Sequence, residues 1–236
     1  MNNKPAQIYL IPCTIAPNTQ ESVISPQIKQ VISAVDYFLV ENVRTARRFI
    51  SSLKLRTVSD LHFEVFNKHT DEQEINKLLS PLRNGQSIGV ISEAGCPAIA
   101  DPGNQIVQWA HRNKVKVTPL VGPSSLILAL MASGMNGQHF EFHGYLPIDK
   151  ILRLKKIQSI ENESLITGKT QIFMETPYRN RALAEALLDS CANQTNICFA
   201  CNLSSSNEVV RTKKVSEWRG QLPDLHKIPT IFLLQA

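Results

Sequence analysis

Glycine is absent before Gly85, and the 236-residue chain holds only ten. No G-x-G-x-x-G occurs anywhere in it. That excludes the dinucleotide fingerprint and the related glycine-rich loop of ordinary Rossmann methyltransferases, whose tight turns need a residue without a side chain. Thr167-Gly168-Lys169-Thr170 mimics the tail of a phosphate-binding loop. Its required first glycine would fall at Glu163, and the segment leads into a strand instead of out of one, so ATP binding is not expected. Long apolar runs are missing as well: none reaches the ~18 residues of a membrane span, and Met1 to Gln7 lacks the layout of a signal peptide. The expectation is a cytoplasmic protein with no membrane partner.

Cysteine is present in an odd number, five, at Cys13, Cys96, Cys191, Cys198 and Cys201, which favours free thiols over a disulfide framework. Cys198 and Cys201 form a C-x-x-C inside an apolar strand, where residues three apart point to opposite faces. No second Cys/His pair stands nearby, so the pair reads as core filling and no metal is expected. His139 and His143 are four apart but lie on a strand, without the glutamate of a zinc helix.

Hydrophobic residues make up 43% of the chain and charged residues 19%, an ordinary globular composition that supports a sizeable core. The formal charge is +5. Basic residues gather at Arg44, Arg47 and Arg48; at Arg112, Lys114 and Lys116; at Lys150, Arg153, Lys155 and Lys156; and at Arg211, Lys213 and Lys214. Such clusters suit either a polyanionic partner or a solvated surface.

Apolar runs and helical spacings alternate along the first half. Strands are expected at Ile8 to Pro12, Tyr37 to Val40, Phe63 to Phe66, Ile88 to Ser92 and Val115 to Val121. Helices are expected after the Ser25-Pro26 cap, at Arg44 to Leu53 and at Glu72 to Leu82. This alternation predicts an α/β fold with a mainly parallel sheet covered on both faces. The helix Ser124 to Ser133 is apolar all round, which implies burial between layers or against another subunit. The second half starts over with a strand Phe140 to Tyr145, a charged helix from Asp149, a strand Gln171 to Glu175 and a helix through Ala182 and Leu187. A strand Ile197 to Leu203, a hairpin of Val209-Val210 with Lys213 to Trp218, and a last strand Thr230 to Leu234 follow. The domains are placed at 1–121 and 122–236.

The densest motif is Ile91-Ser92-Glu93-Ala94-Gly95-Cys96-Pro97-Ala98-Ile99-Ala100-Asp101-Pro102-Gly103, an apolar run that stops abruptly in small residues. Gly95 and Pro97 serve either as turn residues or as a close backbone approach to a ligand, the latter favoured by their place at the end of a central strand. The run resembles a signature of the tetrapyrrole (corrin/porphyrin) methylase family of S-adenosylmethionine (SAM) methyltransferases. Its likeness is greatest to the branch that methylates a ribose 2′-hydroxyl of small-subunit ribosomal RNA. Pro119 to Ser125, Phe142 to Pro147 and Glu175 to Arg179 resemble further family segments in the same order.

The resemblance implies two α/β domains with a SAM cleft between them and a homodimer acting on ribosomal RNA or the small subunit. It implies that Gly95, Pro97, Ala98 and Ile99 line the cofactor cleft with Gly122, Ser124 and Ser125, while Met174, Asn202, Leu203 and Pro229 contribute from the second domain. Two acids compete as general base, Glu41 in Glu41-Asn42-Val43-Arg44 and Glu93 in the loop itself; each could instead cap a loop. Arg44 and His69 are placed on phosphate. The sequence departs from the RNA branch at Cys13 to Asn18, where Ala16 replaces a family glycine. That leaves two other readings: a methyltransferase for a corrinoid or another small molecule, and a SAM binder without transfer activity.

Overall fold

The computed structural model describes residues 5–236, so the part of the leader reading that rests on Met1 to Lys4 lies outside them. The chain divides into two compact units, Met1–Ser124 and Ser125–Ala236.

The first unit runs β1 (Gln7–Leu10), α1 (Gln20–Val23), α2 (Pro26–Ala34), β2 (Tyr37–Val40), α3 (Val43–Ser52), β3 (His62–Val65), α4 (Glu72–Leu78), β4 (Ile88–Ile91), α5 (Gly103–Arg112) and β5 (Lys116–Pro119). Its sheet has the order β3-β2-β4-β1-β5 with every pair parallel. Strand alternation sorts the core into two layers. Tyr37 and Leu39 face Ile75, Leu79, Ile106 and Trp109, while Phe38 and Val40 face Ile28, Ile32, Phe49 and Ile50. Helices therefore cover both faces, as the alternating pattern predicts.

Caps set the helix starts. The Ser25 hydroxyl accepts from Ile28 N at 3.3 Å ahead of Pro26, and Asn42 Oδ1 accepts from Arg44 N at 2.9 Å and Thr45 N at 3.2 Å. Asp71 and Glu74 form a capping box on α4. That helix is shorter than expected, stopping at Leu78, because Pro81 has no N–H to continue the ladder and residues 80–84 form a 3₁₀ turn instead. The sequence reading passed over α5, whose buried Ile106, Trp109 and Ala110 are interleaved with polar residues.

The second unit runs α6 (Ser125–Ser133), β6 (Phe140–Tyr145), α7 (Lys150–Thr167), β7 (Thr170–Met174), α8 (Asn180–Ser190), β8 (Asn196–Cys201), β9 (Val209–Lys214), α9 (Val215–Trp218) and β10 (Thr230–Gln235). Its sheet is mixed, in the order β6-β7-β10-β8-β9, with only β6 and β7 parallel. The expected hairpin of Val209-Val210 with Lys213 to Trp218 does not form. Val209–Lys214 is one strand paired with β8, and Val215–Trp218 turns into a helix because buried Val215 and Trp218 lie three apart on one face. Trp218 packs on Phe199 at 4.7 Å between ring centroids, and Phe199 meets Phe232 edge-on at 5.6 Å.

Helix α6 lies against β8, β9 and β10. Ala129 and Leu130 are buried there, but Ile127 is 47% and Met131 75% exposed, so the all-round burial expected of this helix is not complete within the chain. The cysteines are free, and Cys198 and Cys201 are both buried on β8. Burial pushes the Cys198 thiol up to about 11 and those of Cys13 and Cys191 up to about 12, so these thiols stay protonated at neutral pH. Gly168 sits in the left-handed region at the end of α7, a helix stop where a phosphate loop would need a helix start. No helix among the described residues is long and apolar enough to cross a membrane.

Candidate active site

In a parallel sheet, ligands gather at the carboxyl ends of the strands, and β4 occupies the centre of this one. Its last residue, Ile91, opens into the loop 92–102. Gly95 takes φ +70° there, and a side chain at that position would meet Ile15 Cγ2 at 3.3 Å and Pro123 O at 3.4 Å. The loop is tied to the segment after β1 by Cys13 N donating to Gly95 O at 3.0 Å and Cys13 Sγ to Ser92 O at 3.3 Å. Cys96 Sγ reaches Pro123 O at 3.3 Å. Gly122 is required by close approach: a Cβ on it would stand 2.2 Å from Pro12 Cβ.

Beside this loop lies a pocket of about 420 Å³, walled by Pro12, Pro97, Ala98, Ile99, Pro119 and Leu120. The walls are mostly apolar, with Asn104 and Gln108 of α5 as polar points, an arrangement common to small-molecule sites. Of the sequence-predicted residues, Pro97, Ala98 and Ile99 line the pocket, Gly95 sits in the same loop, and Gly122 backs Pro12. Ala98 and Ala100 both lie in the left-handed region, at φ +68° and +61°. Nothing in the sequence pattern flagged that strain.

The two candidate acids are brought together. Glu41 follows β2, the neighbour of β4, and its Oε1 accepts from Glu93 N at 3.3 Å. Burial raises the Glu41 carboxyl above its ordinary range; the Glu93 amide lowers it, and the charges of Asp101 and Glu93 raise it further. Glu93 itself is exposed. Just beyond Glu41, α3 buries Ala46, Phe49 and Ile50 and turns Arg44, Arg47 and Arg48 outward. Ala16, which replaces a family glycine, keeps an ordinary φ and is buried; the left-handed residue of that segment is Asn18, at φ +60°.

In the second unit, Met174 ends β7 and pairs with Ile231, while Asn202 N donates to Pro229 O at 2.9 Å. Met174, Asn202, Leu203 and Pro229 thus cluster at one end of that sheet, and Ser125 opens α6. In the segment Glu175 to Arg179, the buried Glu175 pairs with Arg179 at 2.6 Å. Burial alone would raise the Glu175 carboxyl, but the guanidinium and the Thr176 amide hold it below its usual range. Among the described residues no group of three or more His, Cys, Asp or Glu is placed to hold a metal ion.

The two sheets and the loop after β4 set the architecture, and the match to a methylase family sets the class. The match to Tetrapyrrole (Corrin/Porphyrin) Methylases covers residues 21–218, so the chain belongs to that family and is a SAM-dependent methyltransferase. It is 30% identical over 210 residues to "Ribosomal RNA small subunit methyltransferase I" of Vibrio cholerae, spanning 89% of this chain and 69% of that protein. Among solved structures it resembles the methyltransferase CobJ, with TM-score 0.64 and 13% identity over 98% of this chain and 94% of that one. It also resembles the uroporphyrin-III C-methyl transferase of Thermus thermophilus complexed with S-adenosylhomocysteine, with TM-score 0.59 and 16% identity over 98% and 97% of the two chains. At those identities the two structures speak for the fold.

Proposed function

We propose that this methyltransferase acts on a ribose 2′-hydroxyl of small-subunit ribosomal RNA, in the cytoplasm and as a homodimer. What supports the acceptor is the relative named for small-subunit ribosomal RNA, 30% identical over most of the chain. The outward row of Arg44, Arg47 and Arg48, starting three residues after Glu41, supplies charge for a phosphate backbone next to an acid. Exposed Ile127 and Met131 on α6 favour a second copy as cover, since contiguous apolar patches are rare on monomers.

SAM fits the pocket because its walls are mostly apolar and Pro97, Ala98 and Ile99 of the loop line it; Gly95 and Gly122, where a side chain would press on Ile15, Pro123 or Pro12, let the segments beside it pack closely. When bound it supplies a methyl group on a sulfonium. The loop backbone from Gly95 to Ile99 orients the donor, a contribution worth up to ~7–11 kcal/mol for an in-line displacement. Glu41 takes the hydroxyl proton as the ribose oxygen bonds the methyl carbon and the carbon–sulfur bond breaks. Its burial suits that role, because a carboxyl held above its ordinary range is a better base. Glu93 holds Glu41 through its amide.

The deciding assay offers tritiated SAM with small ribosomal subunits in one tube and precorrin-type tetrapyrroles in another. Label in the RNA, with affinity for the particle falling by roughly 0.7–0.9 log units per neutralised phosphate for each tenfold rise in salt, is the expected result. Reversing the charge of Arg44 with Arg47 should weaken RNA binding and leave SAM binding intact. Label only in the tetrapyrrole overturns the acceptor; label in neither, with SAM bound, returns the chain to a binder without transfer activity.

A further inference from the structure

Asp101 lies in the loop signature and has so far been given no task of its own. Its Oδ1 accepts two backbone N–H groups at once, from Ala98 at 2.8 Å and Gly103 at 2.7 Å. Between those amides stand Ala98 and Ala100, left-handed at φ +68° and +61°. Residues with a Cβ hold that conformation only where their surroundings over-determine it. A Cβ on Gly103 would stand 2.9 Å from both Ala98 N and Asp101 Oδ1, so the bare backbone at 103 is what lets one oxygen reach both amides. The second oxygen, Oδ2, is buried and meets no donor, so the carboxyl is not presented to a ligand. Besides the charge it places near Glu41, Asp101 acts on the site through the loop backbone.

We propose that Asp101 is a positioning residue for the methyl donor: its Oδ1 locks Ala98 and Ala100 in the left-handed region and so shapes the Pro97 to Ile99 wall of the pocket before the donor arrives. This rests on the reading of that pocket as the SAM site. A wall already in its bound form spares the ligand the ordering of the loop, and a preset loop shows in KM more than in kcat.

The test is calorimetry with SAM and with S-adenosylhomocysteine on the full chain, its Asp101→Asn and Asp101→Ala variants, and Asp101→Ala combined with Ala98→Gly and Ala100→Gly. Asn keeps an acceptor oxygen in place and should bind both ligands within ~5-fold of the parent, whereas Ala should lose ~10-fold or more for both, with kcat at saturating SAM within a few fold. Glycine at 98 and 100, which adopts positive φ at little steric cost, should recover at least ~3-fold of that loss, without slowing the exchange at the Ala98 and Gly103 amides that a globally restored fold would slow. Hydrogen exchange at the Ala98 and Gly103 amides without ligand should quicken in Asp101→Ala and stay slow in Asp101→Asn. Where Asp101→Ala does not fold, Gly103→Ala pushes the same clamp apart and should give the same loss.

Parent-like binding by Asp101→Ala overturns the proposal. So does an equal loss in Asp101→Asn and Asp101→Ala, which would make the charge, not the acceptor, the operative feature. Failure of the parent chain to bind SAM at all removes the pocket assignment and the proposal with it, and the exchange rates then report the clamp separately from the ligand.

Discussion

Two loops leave strand ends, one in each unit, and each carries two non-glycine residues in the left-handed region. After β4 they are Ala98 and Ala100; after β8 they are Asn202 at φ +51° and Ser204 at φ +65°. Asparagine tolerates that region through local hydrogen bonding, whereas alanine has nothing to offer it and is held there at ~1–2 kcal/mol per residue. The ties differ accordingly. Ser204 N donates to Glu208 Oε2 at 2.6 Å and Asn202 N to Pro229 O at 2.9 Å, one acceptor for each amide. In the first loop a single carboxylate oxygen takes the amides of Ala98 and Gly103. Strain is greater where both left-handed residues are alanine, and smaller where Asn202 already suits the turn.

The largest expected effect tests whether the first loop's side of the molecule carries the chemistry, through Glu41, which that loop holds. Glu41→Gln keeps the side-chain shape and the bond to Glu93 N but removes the base, and transfer should fall by ~10²-fold with SAM affinity within a few fold, as read by single-turnover transfer from tritiated SAM. A base must be deprotonated, so the parent rate should drop as pH falls, with a midpoint above the ordinary 4.5 because burial raises Glu41, and this acid limb should vanish in the variant. A parent-like rate would move the base to Glu93 or elsewhere.

Next in size is Gly122→Ala, whose new methyl would collide with Pro12 beside the first loop and should lower stability by ~1–3 kcal/mol in urea unfolding, the usual range for overpacking. Nothing comparable crowds the glycines at 134, 144 and 168 of the second unit, where an added Cβ meets no atom within 4 Å.

The smallest effect is the most direct probe of the comparison. Ala98→Gly and Ala100→Gly each relieve the left-handed cost and lose part of that gain to unfolded-chain entropy, for a net stabilisation of ~0.5–1 kcal/mol. Asn202→Gly should be near neutral. Equal melting shifts in all three variants would erase the distinction between the loops.

Much of the first unit was legible in the sequence because two signals coincide there. Runs such as Tyr37 to Val40 and Ile88 to Ile91 are apolar without alternation, which is what a strand buried on both faces requires, and the Ser25-Pro26 cap marks a helix start unambiguously. The loop after β4 was found from its small residues. What stayed hidden depended on contacts far apart along the chain or on backbone angles. The Glu41 bond to Glu93 spans 52 positions, the left-handed alanines leave no compositional mark, and α5 buries a narrow stripe of Ile106, Trp109 and Ala110 between polar neighbours in sequence. In the second unit the Val209 to Trp218 stretch misled, because its basic residues mask one continuous edge strand that only the partner strand β8 defines.

The meeting of Pro12 and Gly122 has an evolutionary side. With 2.2 Å between a would-be Cβ and the proline ring, the two positions cannot both carry side chains of ordinary size in this backbone. Divergent descendants of this chain should therefore change them in a fixed order: a smaller residue at 12 has to arrive first, and only then does 122 become free to drift. A saturation library built on the present sequence would score position 122 as intolerant and position 12 as permissive, and the same library built on Pro12→Gly would lift much of that intolerance. The pair behaves as one heritable unit written in two distant places.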